Sequence, residues 1–314
     1  MISVGEVISD VNIQELTEVT SAPFQLKLLL LGGLVALFTG LTLAAPFPVW
    51  IIPSLVLGLL YAHAVELQHQ CLHNTALKGT AWNRQVGILL GLPLLVSFSD
   101  YQNSHMRHHK LLGTPEDKEF FNYGYSSLTT LWALIPHLLM VRHYLDVVGF
   151  IGRAVFGRPG KQDATPRMAR RIRSEYCIMA AFLLAMLAIT VGFHTTLFLK
   201  LWLIPFLIGV PTHALIELPE HIGCNLQTPN VLSNTRTIKA SRFAVWFTDG
   251  NNYHVEHHWL PGVPNHKFPE MHRVIISQGI EHLEVSYWSF YSDFLKGLYR
   301  NTFGRHNKAK SAKA

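Results

Sequence analysis

Charged residues are scarce in this chain, and their scarcity excludes an ordinary soluble domain. Asp, Glu, Lys and Arg make up 15% of the 314 residues, whereas hydrophobic residues make up 49%. A soluble domain has roughly 25% charged residues. The formal net charge is +6, but the basic residues are not interleaved with aromatic ones as in a nucleic-acid-binding surface. The composition therefore predicts an integral membrane protein with no nucleic-acid partner.

Cysteine and cofactor motifs are also sparse. Cys71, Cys177 and Cys224 lie far apart without C-x-x-C spacing, which excludes a disulfide framework or a zinc ribbon. There is no His-Pro-Gly-Gly signature of a fused cytochrome b5-like domain and no G-x-G-x-x-G after a strand. Any electrons are therefore expected from a separate donor, a ferredoxin or a cytochrome b5-like protein.

Long apolar runs occur in two pairs, and each run is close to the ~20 residues that a spanning helix needs. The runs are residues 26–45 and 49–65, and then 177–191 and 197–216. Lys and Arg are absent from the turn within each pair and are frequent between and after the pairs. The positive-inside rule then predicts that both termini and the middle of the chain are cytoplasmic.

The predicted fold is an all-α integral membrane protein with four transmembrane helices in two hairpins and a cytoplasmic helical cap. Two shorter apolar segments, 86–98 and 128–141, are expected to lie in the interface or beneath the membrane domain. The predicted organisation is a cytoplasmic tail over 1–25, a membrane domain over 26–295 and a basic tail over 296–314, without a second domain.

Histidine is abundant, with 18 residues, and its arrangement is specific. The clusters are His69-Gln-Cys-Leu-His73, His105-Met-Arg-His108-His109 and His254-Val-Glu-His257-His258. Random placement predicts about 0.06 occurrences of H-x-x-H-H, and the chain contains this motif in both later clusters. Isolated histidines such as His63, His137 and His194 are interpreted as ordinary polar side chains instead.

The clusters predict a transition-metal centre. Imidazole ligands suit iron, zinc and copper, whereas magnesium and calcium prefer oxygen. Eight imidazoles exceed the four ligands of a closed zinc site, so two adjacent ions are expected. A pair of metal ions whose ligands are mostly imidazole nitrogens, with few carboxylates, favours iron. All three clusters fall on the predicted cytoplasmic face, which indicates one shared di-iron centre.

These motifs resemble the three histidine boxes of membrane fatty acid desaturases and their hydroxylase and ketolase relatives, over about residues 30–272. The resemblance implies a further ligand after the last span, at His221 in Glu217-Leu-Pro-Glu-His221. Acyl desaturases of this type have an Asn four residues before that histidine. Glu217 occupies the position here, as a candidate ligand or a residue that holds an iron-bound water.

Acidic residues near the clusters are candidates for orienting the imidazoles. Asp100 and Asp249 are expected to have a structural role near the metals, and Glu256 and Glu220 are weaker candidates. Glu66 is expected to be simply solvated. Cys71 and Cys224 lie near predicted ligands but belong to no thiolate motif, so they are interpreted as packing residues.

The predicted function is an oxidase that uses two Fe ions and O2 to introduce a double bond into a fatty acyl chain. The acyl group could be carried by a lipid, a thioester or a carrier protein. The nearest alternative is a hydroxylase- or ketolase-type oxygenase, or a desaturase of a different amphiphile. A histidine-rich metal-binding protein or transporter is disfavoured because the middle of 26–45 and of 177–191 has no charged residue or histidine.

Residues 167–173 include a basic cluster that could attract an acidic electron donor or anionic membrane lipids.

Overall fold

The computed structural model describes residues 13–117, 128–158 and 164–311, with side chains as far as residue 304. Most of these residues are helical, as predicted. The beginning of the predicted N-terminal tail and the end of the predicted basic tail lie outside the described residues. The α-helices are α1 (Ile13–Thr17), α2 (Ser21–Ala44), α3 (Ile51–Leu72), α4 (Thr80–Gly91), α5 (Phe98–Leu111), α6 (Leu131–Leu138), α7 (Val141–Val155), α8 (Pro166–Gly192), α9 (Ile204–His221), α10 (Val231–Asn234), α11 (Arg242–Phe247), α12 (His254–Trp259), α13 (Phe268–Ser277) and α14 (Tyr287–Ser311).

Five helical stretches of the described chain are long and apolar enough to cross a membrane. They are Ile13–Ala44, Ile51–Leu72, Leu131–Val155, Pro166–Gly192 and Leu199–His221. Four of them contain most of each predicted span. The fifth, Leu131–Val155, extends the segment 128–141 that was predicted to be too short. Its extension, α7, carries Arg142, His143 and Asp146 between apolar residues, so a search for an uninterrupted apolar run ends before it.

Helices α3 and α9 pack against each other and position two of the ligand-bearing chain segments. The contact depends on two glycines. A Cβ atom on Gly58 would lie 2.6 Å from the Pro205 carbonyl oxygen, and one on Gly209 would lie 2.8 Å from the Gly58 carbonyl oxygen. A π-helical turn, Leu199–Leu203, precedes α9, and Tyr61 donates a hydrogen bond of 2.8 Å to the Leu201 carbonyl within it. The close approach aligns the ends of α3 and α9.

The start of α5 is fixed by Glu175, a buried residue of α8. The Glu175 carboxylate accepts hydrogen bonds from the Ser97 and Ser99 hydroxyls and from the Ser99 backbone N–H, at 2.6–2.8 Å. Arg84 also contacts it, at 2.9 Å. A carboxylate is favourable at a helix N-terminus because the first backbone N–H groups lack helical partners. Glu175 therefore sets the position of the helix that carries the second histidine cluster.

A small parallel sheet of two three-residue strands lies among the helices. Strand β1 (Thr237–Lys239) pairs with β2 (Glu284–Ser286), and Ile238 is opposite Val285. The sheet joins the segment between α10 and α11 to the segment between α13 and α14. Helix α14 continues through the predicted boundary between residues 295 and 296, and the division of the chain into a domain and two tails remains a prediction.

Candidate metal centre

Four separate elements carry the predicted histidine ligands. His69 lies in the last turn of α3, and His73 is the residue that follows α3. The second cluster lies on α5, the third lies on α12, and His221 is the last residue of α9. Residues three or four apart share a helix face. The spacing within each cluster therefore directs its imidazoles to one side.

One group of imidazoles is centred on His105. Its Nε2 atom lies 2.8 Å from that of His69, 3.0 Å from those of His73 and His109, and 3.4 Å from that of His257. The ligating atoms of His69, His73, His105 and His257 are all within 4.8 Å of one another. The first two predicted clusters and part of the third are therefore in contact.

A second group adjoins the first. The ligating atoms of His108, His221 and His258 lie within 4.8 Å of one another. The Nε2 atom of His254 is 2.8 Å from that of His221 and 3.1 Å from that of His258. His109 lies between the groups, 2.9 Å from His257 by Nε2 atoms, with its ring stacked on that of His258. All the predicted histidine ligands are brought together.

The Nδ1 atoms of several imidazoles have acceptors that fix their orientation. His69 donates to the Asn251 side-chain oxygen at 3.0 Å, His108 to Asp117 at 2.9 Å, and His221 to the Asn234 carbonyl at 2.9 Å. A proton on Nδ1 leaves the lone pair of a neutral imidazole on Nε2. Hydrogen bonds of this type accompany most metal-bound histidines.

The charge state of the cluster fits a metal. Burial, and then the neighbouring imidazoles, lower the pKa of His105, His257 and His258 well below the usual value. Neutral imidazoles carry one proton each, so the several Nε2 atoms around His105 cannot all be joined by hydrogen bonds. Cations between them would convert facing lone pairs into ligand bonds. The donor set is therefore suited to transition-metal ions.

The three predicted carboxylates occupy different positions. Glu217 lies one turn before His221 and accepts a hydrogen bond of 3.3 Å from Tyr101. Asp100 accepts one of 2.6 Å from Tyr176. Asp249 pairs with Lys27 of α2, and burial raises its pKa to about 6 although Lys27 opposes the rise. Among the described residues, no group of close metal-ligand atoms includes Glu217, Asp100 or Asp249.

A cavity of about 30 Å³ adjoins the histidines. Its lining is Glu66, His69, Tyr101, His105, His108, His213, Glu217, Glu220, His221, Asn251 and His254. His213 joins two of the carboxylates, because its Nδ1 is 2.8 Å from Glu66 and its Nε2 is 3.3 Å from Glu217. The cavity places acidic groups directly beside the clustered imidazoles.

Three polar residues of this cavity were missed or misjudged from the sequence. Glu66 is only 2% exposed, so the expectation that it is solvated was wrong. His213 was not recognised, although it lies four residues before Glu217 and eight before His221 on the same helix face. Asn251 links His69 to Glu66, because its side-chain oxygen accepts a hydrogen bond from His69 and its nitrogen donates one of 2.7 Å to the Glu66 carboxylate. No local periodicity marks Asn251, because its partners lie on α3.

The remaining acidic candidates separate into two kinds. Glu220 contributes to the cavity, and its carboxylate lies 3.5 Å from Nε2 of His254. Glu256, in contrast, contacts Thr237 and His272. Cys71 is completely buried among apolar side chains, which agrees with a packing role.

Comparison with known proteins identifies the family. The family model described as fatty acid desaturase matches residues 44–291, a range that contains every histidine of the centre. The chain is also 27% identical over 239 residues to the dihydrorhizobitoxine desaturase of Bradyrhizobium elkanii. That match covers 68% of this chain and 65% of the relative, slightly less than two thirds of the relative's length. Its apolar helices and the family match mark the chain as a membrane protein, and it belongs to the fatty acid desaturase family.

Proposed function

We propose that this protein is an O2-dependent di-iron oxidase that introduces a double bond into an acyl chain or a related amphiphile. The observation that carries the proposal is the convergence of nine imidazoles, from four elements, with their Nε2 atoms facing one another. Membership of the desaturase family supports the same reaction class.

Two metal positions are proposed within the cluster. His69, His73, His105 and His257 would hold one iron ion, and the other would be held by the set His108, His221, His254 and His258. His109 lies between them. Iron would supply the redox chemistry with O2 that removes hydrogen from an unactivated carbon.

The residues around the cluster would orient ligands and handle protons. Asn251, Asp117 and the Asn234 carbonyl fix three imidazole rings. Tyr101 and His213 hold the Glu217 carboxylate beside His221. Glu217 would bind the nearer iron or hold a water on it, in the position where the resembling acyl desaturases have an asparagine.

The four-span topology is also part of the proposal. Nε2 of His109 and Nε2 of His257 are 2.9 Å apart, so both must be on the same side of the membrane. Three candidate spans, Leu131–Val155, Pro166–Gly192 and Leu199–His221, separate them in sequence. An odd number of crossings would put them on opposite sides, so one stretch must not cross. Leu131–Val155 is interrupted at Met140, which has a left-handed backbone (φ 46°), and it would lie along the membrane.

This topology puts the metal centre and both termini on one side, and the distribution of Lys and Arg makes that side cytoplasmic. The proposed organisation is a membrane desaturase domain over 26–295 with tails over 1–25 and 296–314. The basic residues within 167–173 at the start of α8 would attract an external electron donor of the ferredoxin or cytochrome b5-like type, or anionic membrane lipids.

The second candidate function is desaturation or oxygenation of a more polar amphiphile. The relative from Bradyrhizobium elkanii is named for dihydrorhizobitoxine, and the cavity beside the histidines is lined by Glu66, Glu217 and Glu220. Carboxylates next to the reacting centre are compatible with a substrate that carries hydrogen-bond donors near the carbon that reacts. A purely aliphatic segment gains nothing from them.

Product analysis tests both candidates. The protein would be expressed with a reducing partner, and lipids and small molecules would be profiled against a His108→Ala control. A desaturase yields a product two hydrogens lighter that gains no label from ¹⁸O2. Incorporation of the label would show oxygenation. The absence of any product that depends on His108, from a protein that retains its iron and is supplied with electrons, would contradict the proposal.

A further inference from the structure

A second group of metal-ligand side chains lies outside the nine-histidine centre. One ligand atom from each of Glu256, His272 and His282 lies within 4.8 Å of the others. Glu256 is two residues after His254 on α12, so its side chain points to the opposite face from the histidines of that helix. The group therefore has its own location, between α12, α13 and the segment before β2.

Its geometry matches the arrangement that carboxylates and histidines adopt around a metal. The Glu256 carboxylate is completely buried and contacts His272 Nδ1 at 2.5 Å. The Thr237 hydroxyl donates to the other carboxylate oxygen, also at 2.5 Å. These contacts bring one oxygen of Glu256 and Nδ1 of His272 to the same point, where an ion would take the place of the proton that they share.

Two observations point to a ligand that completes the group. Nε2 of His282 is buried and, among the described residues, makes no hydrogen bond. Nε2 of His272 lies 3.5 Å from the Glu284 carboxylate, which can accept the ring proton there and leave the Nδ1 lone pair for an ion. Bonds of about 2.0–2.1 Å to a tetrahedral ion hold its ligand atoms roughly 3.3 Å apart. The 2.5 Å contact between Glu256 and His272 Nδ1 would therefore widen around an ion.

We propose that Glu256, Nδ1 of His272 and His282 form a second cation site that takes Zn²⁺ or a similar divalent ion, with Glu284 as an outer neighbour that holds the far side of the His272 ring. Two imidazoles and one carboxylate suit zinc better than magnesium or calcium. The other Glu284 oxygen pairs with Lys239 at 2.8 Å. His272 and Glu284 are each partly exposed, so an ion can enter from solvent.

The consequence of such a site is structural. An ion held there would join α12 to α13 and to the strand pair, on the side of α12 opposite the nine-histidine centre. It would stabilise the helix that carries the third histidine cluster without contacting substrate. A metal-free alternative exists, in which Glu256 and His272 form only an ion pair.

Zinc titration of the iron-loaded protein in detergent separates these alternatives. Zinc would be added against a chromophoric chelator, and zinc and iron would both be quantified. The expected result is one zinc per chain without loss of iron. His282→Ala should weaken zinc binding by about 10- to 100-fold, the range typical of altered metal-site residues, while its iron content stays unchanged. His194→Ala, in an exposed turn, should bind zinc like the unmodified protein.

Several outcomes would overturn the site. One is no zinc uptake at all, and another is equal affinity in the unmodified protein and His282→Ala. Zinc uptake that releases an equal amount of iron would show exchange at the nine-histidine centre instead. Because iron content reports folding, His282→Gln, which retains a polar side chain, provides the comparison if His282→Ala does not fold. None of these readouts depends on enzymatic activity.

Discussion

Asn251 connects the first histidine cluster to the buried acidic residues, and its removal should lower iron affinity. Its side-chain oxygen accepts from His69 Nδ1 at 3.0 Å, and its nitrogen donates to Glu66 at 2.7 Å. Asn251→Ala would leave both partners buried without this contact. Each buried polar group left unsatisfied costs about 1–3 kcal/mol. Loss of a residue that orients a metal ligand typically weakens metal binding about 10- to 100-fold, equivalent to about 1.4–2.8 kcal/mol.

Iron retention against a competing chelator, together with thermal unfolding in detergent, measures both effects. Asn252→Ala is the matched control. Asn252 is also buried, but its side chain bonds to the Ile238 carbonyl at 3.0 Å and to Thr248 at 3.2 Å. We expect both variants to melt earlier and only Asn251→Ala to lose iron more readily. If the two variants release iron equally, or if Asn251→Ala retains it like the unmodified protein, the ligand-orienting role of Asn251 is refuted.

Three further changes test the centre and its supporting helices. His108→Ala should lower iron occupancy and abolish activity, whereas His194→Ala should leave both nearly unchanged; full activity of His108→Ala would rule out a shared centre. Glu217→Gln removes a charge at almost constant volume and should reduce turnover more than iron content, so unchanged turnover would argue against a role beside the metal. Gly58→Ala should destabilise by about 1–3 kcal/mol because its Cβ would overlap α9, while Gly33→Ala, with nothing within 4 Å, should be tolerated in a melting assay.

The sequence predicts the parts of this protein that depend on local spacing. The i, i+3 and i+4 positions of the histidines fix their helix faces, and the structure brings all of them together. The apolar runs locate four of the five candidate spans, and the resemblance to desaturases is confirmed by the family match over residues 44–291.

The parts that depend on tertiary contacts could not be predicted in this way. Nothing near Glu66 in the sequence distinguishes it from a solvated acid at a helix end. Its burial results from contacts with Asn251 and His213, which come from distant parts of the chain. Nothing in the order of residues around Asp100 indicates that Tyr176 of α8 will bind it. Such contacts follow from the packing of the helices and leave no periodic trace in the sequence.

The nine-histidine centre also constrains how the protein can be made. Its ligands are contributed before and after the last candidate span, and His109 and His257, now in contact, are 148 residues apart. A nascent chain that has emerged only as far as α5 holds three of the four histidines in the first group but only one of the four in the second. Closing so long a loop has an entropic cost until the intervening helices pack. Capture of both proposed iron ions would therefore be complete only after α12 has been synthesised and the earlier helices are already inserted. The metal ions would then be bound late in membrane assembly. A chain truncated before His254 would reach the membrane without being able to complete its centre.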